Sequence, residues 1–171
     1  MFLVCACLAA LATPAAVMAM TDSAGDGSLV VQHANGPHGT PVVELTITGA
    51  AIGHIWSGRI LIDDATPDNG VSPEVTGATW QKGPTASQPA QSWGGTDFKF
   101  RVVGGTYTIL IYGTDVNVVA LGTGQVTLTG LSDTPLSDGT FSLNGGDFHS
   151  LPGQSSKLLT IGTAAPASTS G

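Results

Sequence analysis

Three carboxylates fall within six residues in Asp63-Asp64-Ala65-Thr66-Pro67-Asp68. Clustered oxygen ligands on a loop suit Ca²⁺, which takes about six to eight of them. The spacing departs from an EF-hand, which wants acids at alternate positions and a closing Glu. Pro67 and Asn69-Gly70 are turn formers, so the same segment also suits a solvated turn. Asp63, Asp64 and Asp68 are the candidate metal ligands, and Ca²⁺ is the one cofactor they suggest. Trp80 and Trp93 flank Gln81 to Gly95, the longest stretch without a strand pattern. Indole rings exposed beside polar amides stack on sugar faces. Trp80 and Trp93 are therefore candidate polysaccharide-binding residues, and the competing role is to anchor the loop onto the core. His33, His38, His54 and His149 stand at no recognised zinc spacing. The chain carries no G-x-S-x-G, H-E-x-x-H, G-x-G-x-x-G or Walker loop. Glu44 and Glu74 are its only glutamates, so no carboxylate pair for glycoside hydrolysis is evident.

The elements that must position these residues read as short strands joined by glycine turns. In Asp97 to Tyr112, Phe98, Phe100 and Val102 alternate with Asp97, Lys99 and Arg101, the period of a half-buried strand. Gly104-Gly105 suits a two-residue turn with positive φ at both positions. Pairing across it sets Val102 against Tyr107, Phe100 against Ile109 and Phe98 against Ile111, all on one face. The same logic places turns at Ser57-Gly58, Gly122-Thr123-Gly124 and Gly145-Gly146. The first sets Ile55 opposite Ile60 and Trp56 opposite Arg59, a cation–π pair; the last sets Leu143 opposite Phe148. Further strands are expected at Leu29–Gln32, Val42–Thr48, Val75–Trp80 and Lys157–Ile161. About nine short strands and no long helical period predict an antiparallel β-sandwich, with a closed β-barrel as the alternative.

The composition agrees with that organisation. Only 10% of the 171 residues are charged and 24 are Gly, against about 25% and about 7% in ordinary soluble domains. A helical bundle needs more Glu, Lys, Arg and Ala. The net charge of −7 repels a phosphate backbone, so no nucleic-acid partner is expected. Residues 1–19 read as a signal peptide: Leu3 to Leu11 is an apolar core, and Val17-Met18-Ala19 fits cleavage after Ala19. Uncleaved, this leader would be the one route to a membrane. Both cysteines, Cys5 and Cys7, lie within it, so the mature domain has no disulfide. Residues 20–27 read as a linker, 28–161 as one β-domain and 162–171 as a disordered tail.

Residues 98–130, FKFRVVGGTYTILIYGTDVNVVALGTGQVTLTG, and 138–152, DGTFSLNGGDFHSLP, resemble a group of exported all-β proteins of high-GC bacteria that has no assigned chemistry. GRILIDD (58–64) and the Trp80 region resemble the earlier half of that group. The resemblance implies an exported β-domain and transfers no catalytic residue. The expectation is a bacterial, acidic, secreted protein of the cell envelope or extracellular space, non-catalytic, with a structural or interaction role. Its partner would be an envelope polysaccharide or protein. The alternatives are a polysaccharide- or calcium-binding module and a hydrolase without a recognisable motif.

Overall fold

The computed structural model describes residues 25–67, 70–132 and 138–162. Asp68, the leader and all of the tail beyond Gly162 lie outside them. The strands are β1 Gly27–Ala34, β2 Val43–Asp64, β3 Glu74–Thr76, β4 Trp80–Lys82, β5 Gln91–Leu128, β6 Thr140–Leu143, β7 His149–Ser150 and β8 Lys157–Ile161. They form one open antiparallel sheet of eight strands, so the barrel alternative is not adopted. Two strands dominate it, β2 with 22 residues and β5 with 38. β5 flanks β2 on both sides: Leu45 lies between Ile109 and Val126, and Ile60 between Trp93 and Ile111.

Strands this long cannot stay straight over one core. Two lines of glycine cross the sheet. Gly105, Gly49, Gly122 and Gly27 are cross-strand neighbours on the first. Gly95, Gly58 and Gly113 are neighbours on the second, and the Gly36 N–H donates to the Gly113 carbonyl at 3.0 Å. Between the lines, residues 50–57, 96–104 and 114–121 form one layer with β1. Beyond them, residues 43–48, 59–64, 106–112 and 123–128 form the other. Alternation aims apolar side chains from both layers into a single buried cluster, with Ile47, Ile62 and Ile109 from one and Ile55, Phe98 and Val118 from the other. This is the arrangement of an all-β sandwich in which strands change layer at bends. The bend requires glycine at Gly58 and Gly113, whose φ angles are 156° and 153°. Side chains rarely adopt that region, and a Cβ on either residue would collide with the other strand's backbone.

Three of the expected hairpins are therefore bends in continuous strands. Phe100 is paired on both edges, with Gly53 and Val75, and Tyr107 with Ile47 and Asp64. Neither edge is left for the Val102–Tyr107 or Phe100–Ile109 pairs of a Gly104-Gly105 turn. Gly104, at φ 67°, is the extra residue of a bulge, since Val103 faces Ala50 while Gly105 faces Gly49. Ser57-Gly58 and Gly122–Gly124 likewise lie within β2 and β5. Arg59, freed from Trp56, lies across from Tyr112 with its guanidinium 4.2 Å from the ring centre. The Phe141–His149 hairpin does form, one residue out of the expected register, because Asn144 and Gly145 take the positive φ values of its turn. The expected strands at 29–32 and 157–161 lie within β1 and β8. Among the described residues eight strands replace the expected nine, because the bends join several into one.

Candidate functional site

β2 ends at Asp64, so Asp63 and Asp64 are strand residues rather than loop residues. Consecutive strand positions point to opposite faces. Asp64 Oδ1 accepts from the Thr66 backbone N–H at 2.8 Å and from its hydroxyl at 3.2 Å. The Thr66 hydroxyl oxygen in turn accepts from the Thr106 N–H at 3.1 Å. This carboxylate thus closes the strand end onto β5. Among the described residues no three His, Cys, Asp or Glu side chains converge as a metal set, and Asp68 lies outside them.

The two tryptophans also separate. The irregular loop is shorter than expected, because β4 occupies Trp80–Lys82 and β5 begins at Gln91. Trp93 is 4% exposed and belongs to the core, as the anchoring role requires and contact with a sugar forbids. Trp80 is 40% exposed. Its ring covers Gly94, where a Cβ would strike it, and Lys82 Nζ sits 5.7 Å from the ring centre. One indole faces inward and the other outward, so they do not form a joint stacking platform.

A different group of side chains converges on the outer face of the layer containing β1. Three non-glycine residues there have left-handed backbones: His33 at φ 52°, Asp97 at 54° and Asp115 at 48°. All sit beside the second glycine line, where the burial pattern changes phase. Asn, Asp and His are the residues that tolerate this region best. Each aspartate is held by a histidine: His33 Nδ1 is 2.7 Å from Asp115 Oδ1, and His54 Nε2 is 2.8 Å from Asp97 Oδ1. Two amides satisfy backbone groups at and opposite the β1 bulge between Val31 and Ala34. Asn117 Oδ1 accepts from the His33 N–H at 3.1 Å, and Asn35 Oδ1 accepts from the Asp115 N–H at 3.0 Å. The words His-x-Asn (33–35) and Asp-x-Asn (115–117) are the signal the sequence offers, because His, Asp and Asn tolerate a left-handed backbone and their side chains bond nearby backbone groups.

The hydrogen bond from His33 is the main influence holding the Asp115 carboxyl below its ordinary value of 3.8. Burial opposes it; the Asn117 amide and the charges of His33 and His54 add to it. A depressed carboxyl contributes stability that is present above the unfolded value and lost as pH falls through the folded one. Asp115→Asn is expected to lose a small increment near neutral pH, under about 1 kcal/mol for so exposed a pair. The stability curves of variant and parent, followed by urea unfolding, should converge below about pH 4. A constant difference down to pH 2 would remove the pair's role.

Beside this network lies an open groove of about 460 Å³. Its floor is a cross-strand row, Val30–Val119–Ile52, which Arg101 continues. Ile52 is 47% exposed and Val119 39%. The neighbouring row is Asn117–His54–Lys99. Such a surface can take an apolar body and orient a polar group, and its histidine, His54, already holds Asp97 at 2.8 Å. Comparison of this chain with family models, curated proteins and solved structures finds no match.

Proposed function

We propose that this chain is an exported, non-catalytic β-domain that acts in the cell envelope or outside the cell through contacts on its outer sheet face. The observation that carries this reading is the groove floored by Ile52, Val119 and Val30. Large apolar side chains grouped on a solvent face mark an interaction surface. The polar groups beside it are engaged in supporting the backbone, His33 and Asn117 with β5 and β1, and Asn35 with Asp115. The leader-like residues 1–19 and the resemblance to exported all-β proteins support export. The test expresses the full chain in a bacterial host, fractionates the cells and sequences the protein's N-terminus. A chain beginning at Met20 in the envelope or medium is expected, with a photo-crosslinker at Val119 forming adducts that one at Thr46, on the other layer, does not. A cytoplasmic chain with its leader intact, or equal adducts from both positions, overturns the reading.

A further inference from the structure

We propose that the groove binds a small amphipathic anion, a fatty-acid-like carboxylate, with its chain along Val30–Val119–Ile52 and its head group between Lys99 and Arg101. The proposal rests on the reading of this face as the working surface and names its ligand.

Its first support is charge. The chain has twelve acidic and five basic residues, yet among the described residues the groove is lined by Lys99, Arg101 and His54 and by no carboxylate. The nearest acids face basic groups at its margin: Glu74 lies 3.8 Å from Arg101, Asp97 2.8 Å from His54 and Asp115 2.7 Å from His33. The Arg101–Glu74 contact is longer than a hydrogen bond, so it does not consume the guanidinium donors that a carboxylate would accept from. Lys99 and Arg101 line the groove itself while the acids stand at its margin, so a small anion that reaches both cations is favoured over a polyanion, which would run on over surface of net charge −7.

The second support is shape and order. Val30, Val119 and Ile52 occupy adjacent strands in one row, a span of about 10 Å at ordinary strand spacing. Arg101 follows Ile52 in that row, and Lys99 stands two residues away on the same face. The row is therefore apolar, then cationic, and is closed by Glu74 on β3 beyond Arg101, so a carboxylate at the end of a hydrocarbon chain would stop at Arg101 and Lys99. The volume of about 460 Å³ falls within the range of small-molecule sites, which are mostly apolar with a few placed polar groups.

The test titrates the exported protein with decanoate and, separately, with decanol, by calorimetry and by amide chemical shifts. Saturable one-to-one binding of decanoate is expected, with shifts centred on residues 30, 52, 99, 101 and 119. Lys99→Gln and Ile52→Ser should each weaken it about tenfold, and Thr127→Ser, on the other layer, should leave it unchanged. All these positions are solvent-facing, and equal melting temperatures would show that the variants fold. Equal affinity for decanol and decanoate, or an unaffected Lys99→Gln, overturns the anion while leaving the outer-face reading in place. Absence of binding by either probe overturns the small-molecule site, and the crosslinking result then decides the broader reading separately.

Discussion

Gly58→Ala is expected to destabilise the protein by about 3 kcal/mol or more. At φ 156° Gly58 occupies backbone space that costs an L-residue about 1–3 kcal/mol. The added Cβ would also overlap the Tyr112 carbonyl and lie 2.8 Å from Gly113 Cα. The strands would have to part at the bend where β2 passes from one layer to the other, and relief would come only through lost ladder bonds. Gly113→Ala meets the same obstacle from the facing strand, where its Cβ would lie 3.0 Å from Gly58 Cα. The pair shares one contact, so the double variant should cost less than the sum. Gly83→Ala is the control: its φ carries no such strain and a Cβ there meets nothing within 4 Å. For a domain of this size, 3 kcal/mol corresponds to roughly 6–12 °C in melting temperature. Thermal melts and urea midpoints of the variants decide the matter. A Gly58→Ala protein as stable as Gly83→Ala would mean that the chain does not bend there.

Tyr107→Ala should be comparably severe, at about 3–5 kcal/mol. Tyr107 is fully buried between Ile47 and Asp64. Its hydroxyl donates to the Val103 carbonyl at 3.1 Å, spanning the Gly104 bulge. Removing the ring leaves a large cavity at a position flanked by β2 on both edges, where collapse is restricted from both sides. Tyr107→Phe keeps the ring and deletes only the hydroxyl, so about 1 kcal/mol is expected. The ratio between the two costs is the informative quantity. If Tyr107→Phe cost as much as Tyr107→Ala, the hydroxyl rather than the packed ring would be the main contribution of this residue. If both were near zero, Tyr107 would not be a core residue.

These two positions also mark where local pattern and tertiary structure part. The alternation in 98–102 and 107–111 was visible in sequence, and so was its change of phase near Gly104-Gly105. A two-residue hairpin and a one-residue bulge produce the same change of phase, and both place glycine at positive φ. Nothing local separates them. The difference lies in the partner: residues 43–55 lie far away in the chain and pair with 98–111 along their whole length. The same ambiguity affects Ser57-Gly58 and Gly122–Gly124, so glycines that mark turns by composition mark corners in the fold. The candidate site followed from this. Asp63, Asp64 and Trp93 are candidates on the expectation of loops and are strand residues in the structure, whereas Trp80 closes an expected strand and instead opens β4. The role of His33, Asp97 and Asp115 depends on the pairing of β1, β2 and β5, which brings their left-handed backbones together.

The residues that alternate, and the glycines at which alternation changes phase, already specify an all-β sandwich with its apolar faces inward. These are properties of side-chain period and backbone freedom, written within a few residues. Whether each glycine turns the chain back or carries it across to the other layer is left to long-range pairing. That choice belongs to contacts such as Gly58 with Gly113 and Ile47 with Tyr107, whose free energy comes from closing loops of more than fifty residues and which no short segment encodes. The outer face with Ile52, Val119, Lys99 and Arg101 exists only after that choice is made.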